Sequence, residues 1–183
     1  MSKLIVTEFL TLDGVMEAPG GEPGHPHSGW VFDHFTDEQG AYKFREVLAA
    51  GSQLIGRVTY ESFLGAWPAR EGEFADRMNS MPKYVVSSSL QSAEWENTKV
   101  IALEDVPALK ADSAEPVLVP GSRTLVQALL ARGWVDELRL MIFPVILGSG
   151  ARLFPSSEEK RSLRLTHHET FSSGVAVHHY VPA

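Results

Sequence analysis

The stretch Leu54–Glu61, LIGRVTYE, decides how the chain is read. A short apolar run ends at Gly56 and Arg57, and Thr59 stands where a helix would begin. This is the layout of a buried strand, a tight turn and a helix N-terminus. A helix start presents unpaired backbone N–H groups and the positive end of its dipole, so an arginine beside it makes a seat for a phosphate. Gly56 lets the backbone come close, Arg57 can pair with a phosphate bidentately, and Thr59 can cap the helix and donate a hydrogen bond. The same residues also describe a plain capped turn with a solvated arginine, so the flanking sequence has to decide.

On the N-terminal side, Lys3 to Leu12 reads as a first strand, apolar on both faces and stopped by the turn dipeptide Asp13-Gly14. Val15 to Gly29 is dense in Gly, Pro and His and reads as a long irregular loop, either a lid over a ligand or a surface excursion. Thr36 and Gln39 have capping-box spacing for a helix to about Ala50, with Tyr42, Val47 and Leu48 on its buried side. Leu54 to Gly56 is the second strand. The helix after it runs from about Thr59 to Leu64 and breaks between Gly65 and Pro68, where Trp67 packs. A polar helix follows from Glu71 to Met81.

On the C-terminal side, Lys83 to Ser87 is a third strand ending in the hydroxyl run Ser87, Ser88, Ser89, and Lys99 to Ala102 is a short fourth. A helical turn starts around Pro107. Pro116 to Val119 is a fifth strand, leading through Pro120-Gly121-Ser122 into a helix from Thr124 to Arg132 that Gly133 stops. Asp136 to Leu147 reads as a long sixth strand, bent or at an edge because of Pro144. Leu163 to Phe171 and Val175 to Val181 form an antiparallel hairpin turning at Ser173-Gly174.

Strands alternating with helices before a terminal hairpin make a single α/β domain over residues 1–183, with a mainly parallel central sheet and an antiparallel C-terminal edge. Such sheets bind ligands outside the carboxyl ends of their strands. Gly56-Arg57, Ser87 to Ser89 and Gly121-Ser122 all stand there, which points to a dinucleotide or another phosphate-bearing ligand.

Composition narrows the partners. The 183 residues are 44% hydrophobic and 21% charged, with a net charge of −7, which argues against a surface that tracks nucleic acid. There is no cysteine, so disulfides, thiolate metal sites and the zinc nucleobase-deaminase signature are excluded. No apolar run approaches a membrane span and no signal peptide is legible, so a cytoplasmic protein is expected. The adjacent histidines at 167/168 and 178/179 point to opposite strand faces, and no metal site is expected from either pair.

TLDG at 11–14, GRVTYE at 56–61, KYVVSSSL at 83–90, GSRTLVQALL at 121–130, VDELRL at 135–140 and PVILGSGARLF at 144–154 together resemble the dihydrofolate reductase fold. Within it they resemble the reductase domain of the riboflavin-pathway RibD family, here as a stand-alone reductase domain. The resemblance implies a three-layer fold. It also implies NADPH as cofactor, and an activity like that of 5-amino-6-(5-phosphoribosylamino)uracil reductase, hydride transfer to a pyrimidine- or pterin-like C=N or C=O carbon.

By that resemblance Arg57 and Thr59, with Gly56, face the phosphates near the adenosine. Ser88 and Ser89 lie along its ribose, and Gly121, Ser122, Thr124 and Leu125 lie under the diphosphate. Asp13 and Gly14 approach the nicotinamide. Asp13 and Asp33 are the acids retained for catalysis, because Asp37 and Glu38 are equally explained as acids in a helix first turn. Trp30, Arg152 and Phe154 are candidates to line the substrate, although Arg152 could equally brace its loop. Relatives carry an acid where Pro120 stands, a second glycine at Ser122 and often a base at Ser88. A small-molecule substrate and a homodimer, formed through the VDELRL strand, are further implications. The alternative is a nucleotide-binding or self-associating protein of the same fold without catalysis.

Overall fold

The structure is a computed structural model that describes residues 2–156 and 160–183. Its centre is β1, Leu4–Thr11, whose side chains alternate between two covering layers. Leu4, Val6 and Leu10 enter one apolar cluster and Ile5 the opposite one. The chain then runs through irregular backbone to α1, Asp37–Ala49, which opens on the expected capping box, with Gln39 accepting a 2.6 Å hydrogen bond from the Thr36 amide. Next come β2 (Ser52–Gly56), α2 (Arg57–Ala66), α3 (Glu73–Ser80), β3 (Lys83–Val86) and β4 (Thr98–Ile101). A 3-10 turn leads into α4 (Val106–Asp112), followed by β5 (Val117–Pro120), α5 (Arg123–Ala131) and β6 (Glu137–Phe143). The hairpin β7 (Leu163–Thr170) and β8 (Ala176–Pro182) ends the chain.

The eight strands form one sheet in the order β4-β3-β2-β5-β1-β6-β8-β7. β1 to β6 are mutually parallel, and β8 and β7 add the antiparallel edge. One layer of helices packs Val47 of α1, Tyr60 of α2 and Met78 of α3 on Ile5, Ile55 and Leu118. The other packs Val106 of α4 and Leu125, Val126 and Leu129 of α5 on Leu4, Val6 and Val119. This helix–sheet–helix arrangement is the expected three-layer α/β fold. Among the described residues no helix is long and apolar enough to cross a membrane.

Four local expectations change. α2 begins at Arg57, one residue after its N-cap Gly56, so Thr59 lies inside the first turn rather than capping it. The sixth strand ends at Phe143, since Pro144 cannot donate to a ladder, and Pro144 neither bends that strand nor puts it at an edge. The VDELRL segment lies in this strand between β1 and β8, so its edges are already paired and it offers no strand to a second subunit. Leu48 is 54% exposed, and α1 buries Tyr42, Glu46 and Val47 instead. The outer strand β7 is bare on both faces for most of its length.

Candidate functional site

Parallel strands starting at one end deliver every strand-to-helix turn to the other, and this gathers most of the candidate residues. The closest meeting is between the turns after β2 and β5. The Gly56 amide donates to Ser122 Oγ at 2.6 Å, and the Ser122 hydroxyl donates to Thr59 Oγ1 at 2.7 Å. A Cβ on Gly56 would lie 3.2 Å from both Ser122 Cβ and Oγ, so glycine is what lets the turns approach. Gly121 (φ +88°) and Ser122 (φ +74°) are both left-handed, a conformation ordinary for the glycine and strained for the serine. The two hydroxyl hydrogen bonds offset that strain.

The N-termini of α2 and α5 therefore sit side by side. The first bond inside α5 runs from the Val126 amide to the Ser122 carbonyl, which leaves the amides of Arg123, Thr124 and Leu125 free of intrahelical partners. Thr124 is exposed and can turn to a ligand, whereas the Leu125 side chain is buried in the core, so only its backbone faces the seat. Arg57 is half exposed and makes one loose ion pair with Glu61, at 3.8 Å. The pairing of Gly56 with Val86 puts the end of β3 alongside. There Ser87 Oγ accepts the Ser89 and Leu90 amides, shaping a turn that leaves the Ser88 and Ser89 side chains exposed.

Asp13 and Arg152 meet each other at the end of β1. Asp13 accepts hydrogen bonds from Thr11 Oγ1 (2.6 Å), the Gly148 amide (2.9 Å) and the Leu147 amide (3.3 Å), and it pairs with Arg152 at 3.6 Å. The Thr11 hydroxyl first, then those amides, holds its carboxyl below the usual range. In this arrangement the Asp13 carboxylate and Arg152 clasp the turn after β1 to the loop at 147–152. Gly14 stands at the mouth of the same clasp, its carbonyl accepting the Leu153 amide at 3.4 Å.

The clasp extends along the long loop. The Met16 amide donates to the Ala151 carbonyl, the Ala151 amide donates to Glu17 Oε2, and His25 Nε2 lies 3.2 Å from the Ser149 carbonyl. Trp30 is tied to the same long loop. It is buried, donates to the Glu17 carbonyl at 2.8 Å and meets Phe143 edge-on. Asp33 and Phe154 are exposed and are not drawn into the seat between α2 and α5.

Beside the C-terminal half of β1, a cleft of about 380 Å³ opens between Phe35, Thr36, Asp37, Gly40, Ala41, Phe44 and Phe74. Phe35 reaches Phe9 of β1 edge-on at 6.2 Å, and Phe44 lies 5.3 Å from Phe74. Of the two first-turn acids set aside in the sequence, Asp37 lines this cleft, while Glu38 is committed to the Ser172 hydroxyl and amide. The choice between them was invisible in the sequence because both sit at equivalent helix-start positions.

Two further acids were missed. Glu46 is buried under α1, where Thr7, Tyr42, Lys43 and Arg139 satisfy it at 2.9, 3.2, 2.5 and 3.4 Å. Burial alone would raise its carboxyl, but Lys43 and the other partners hold it below the ordinary value. Glu8 is buried without such partners. Its Oε1 has none, and burial pushes the carboxyl up to about 8, with Lys43 opposing. A lone acid flanked by Val6 and Leu10 at inward positions was the available signal.

The chain resembles known proteins along its whole length. It is 29% identical to the uncharacterized protein YyaP of Bacillus subtilis (strain 168), covering 97% of this chain and 95% of that one. It is 27% identical to YwjB of the same organism, covering 97% of each. Among solved structures it superposes on a "putative riboflavin biosynthesis protein" from Shewanella sp. PV-4 with a TM-score of 0.74 at 18% identity, covering 100% and 99% of the two chains. A pyrimidine reductase-like protein from Corynebacterium diphtheriae gives 0.71 at 13% identity, covering 100% and 92%. These two likenesses speak for the fold. The family itself rests on the model of the RibD C-terminal domain, which matches residues 2–177 of the sequence that builds this sheet and its joined turns, and the chain belongs to that family.

Proposed function

We propose that this protein is an NADPH-dependent reductase acting on a small heterocycle of the pyrimidine or pterin type, or on a related C=N or C=O compound. The observation that carries the reading is the junction of Gly56 with Ser122, which brings two helix N-termini and their free amides to one place at the carboxyl ends of the strands. The residues fit a dinucleotide: Gly56 lets the two turns close on each other so that their helix starts converge, and the Thr124 and Arg57 side chains are exposed beside them.

In this reading the amides at the starts of α2 and α5 hold the diphosphate, Arg57 takes the 2′-phosphate, and Ser88 and Ser89 lie along the adenosine ribose. Bound NADPH supplies the hydride. Phe35, Phe44 and Phe74 stack on a flat ring and exclude water from one side of it, and Asp37 accepts hydrogen bonds from ring N–H groups or orders a proton. Asp13 and Arg152 hold their two loops together at the end of β1.

A titration with NADPH and NADH, followed by nicotinamide fluorescence, tests this reading. Selective NADPH binding supports it and leads to a screen of aminopyrimidine and pterin-like acceptors. Failure to bind either cofactor overturns it. A second reading, a nucleotide-binding or self-associating protein without catalysis, draws on the commitment of Asp13 to its clasp and on the bare faces of β7. It is favoured by cofactor binding with no hydride transfer across that screen. Cytoplasmic residence and a homodimer belong to the first reading as well, and the dimer would have to use something other than the paired edges of β6.

A further inference from the structure

β1 outruns β5. Their last pair is Thr7 with Pro120, and from Glu8 to Thr11 the strand is paired with β6. Glu8 is thus the first residue of a notch, level with the Gly121 turn that opens α5. Its neighbours Val6 and Leu10, and Leu140 across the ladder, all belong to the apolar layer beneath α5, so alternation sends its carboxyl into that layer.

Glu8 is 5% exposed, and its Oε1 is buried with no partner. The layer it enters is apolar and includes Leu125 and Val126 of α5, Leu140 of β6, and Leu153 and Met16 from the clasped loops. The charged group whose field reaches it is Lys43, on the opposite face, which spends its hydrogen bonds on Thr7 and Glu46. An unpaired acid in such a place is costly, and a leucine would suit the layer better. A group retained against its local cost invites a functional explanation.

Position supplies one. The strand order β3-β2-β5-β1 means that a dinucleotide with its adenosine at Ser88 and its diphosphate at Gly56 and Ser122 has its other end at the β1 notch. A neutral carboxylic acid presents an O–H donor beside a carbonyl acceptor, the complement of a primary amide. We propose that Glu8 is the residue that recognises the carboxamide of the nicotinamide ring, donating to its oxygen and accepting from its nitrogen. This rests on the dinucleotide reading above. A lactam edge on a heterocyclic substrate offers the same donor–acceptor pair, so the test separates the two sources.

Wild type, Glu8→Leu and Glu8→Gln are titrated with NADPH and with the reduced 3-acetylpyridine analogue, in which a methyl group replaces the amide nitrogen. Thermal melting confirms that each variant is folded. Glu8→Leu is expected to melt higher than wild type yet bind NADPH about ten- to thirtyfold more weakly. Glu8→Gln keeps a donor and an acceptor, so it is expected to stay within roughly threefold of wild type. Wild type should prefer NADPH over the analogue and Glu8→Leu should not. Wild-type affinity should fall as pH rises through 8, and that of Glu8→Gln should not.

Unchanged NADPH affinity in Glu8→Leu overturns the assignment and leaves the reductase reading standing. So does a preference for the amide over the ketone that survives in Glu8→Leu, which would return the acid to the substrate's lactam edge or to no ligand. A wild type that binds no NADPH overturns both.

Discussion

The Gly56 amide donates a 2.6 Å hydrogen bond to Ser122 Oγ, across 66 residues of sequence, and so joins the starts of α2 and α5. The serine holds this bond from a left-handed backbone that costs about 1 kcal/mol for a residue with a Cβ. Ser122→Ala keeps the strain and loses both hydroxyl bonds, and urea unfolding should show a loss of about 1–2 kcal/mol together with weaker NADPH binding. Ser122→Gly removes the strain along with the bonds and should lie within about 1 kcal/mol of wild type. If the alanine variant is as stable as wild type, the junction is not an energetic tie.

Arg57 is the test of cofactor choice. Its one ion pair is an exposed contact to Glu61, of a kind that contributes little, so Arg57→Ala should change stability by less than about 0.5 kcal/mol. Removing a guanidinium from a phosphomonoester should weaken NADPH by about ten- to a hundredfold and NADH hardly at all. Parallel titrations at one fixed salt concentration measure the ratio. Equal losses for the two cofactors would move the 2′-phosphate elsewhere.

The backbone of the site was readable because strand ends, glycine turns and helix starts leave local marks. GRVTYE and PGSRTL each announce a strand-to-helix turn, and their contact follows once both strands are placed in one parallel sheet. Side-chain commitments left no such marks. Asp13 looks like any turn acid until Gly148 and Arg152 arrive from more than 130 residues away to occupy it. Trp30 looks like a pocket wall until Phe143 and the Glu17 carbonyl claim it. Glu8 was passed over as a polar residue in an apolar strand, since its isolation depends on β5 ending one residue earlier on the neighbouring ladder.

Asp37 and Glu38 have different surroundings. Asp37 lines the aromatic cleft, so Asp37→Asn should lower hydride transfer to the accepted heterocycle by about a hundredfold and leave NADPH affinity unchanged. Glu38→Gln weakens the bonds to Ser172 that tie α1 to the terminal hairpin, so it should lower the melting temperature with kcat intact. Reversed results would identify the wrong acid as the one facing substrate.

Glu8 gives stability an unusual dependence on pH. Its folded value of about 8 lies above the ordinary glutamate value of 4.5, so between those values the folded chain holds a proton that the unfolded chain has released. Stability tied to this group is therefore fully present below about pH 4.5 and declines as pH rises toward 8, by about 4 kcal/mol over the window. Asp13, Glu46 and Glu137 act in the opposite sense. Their folded values are depressed, so their contribution is present above the unfolded carboxylate range and is lost as pH falls through the folded values. Urea midpoints between pH 5 and 8 should fall in wild type relative to Glu8→Gln, whose amide never charges, because every other titrating group is common to the two proteins. A wild-type profile that matches Glu8→Gln would mean that the carboxyl is ionised and partnered in the folded protein, and the notch beside β5 would then hold no neutral acid.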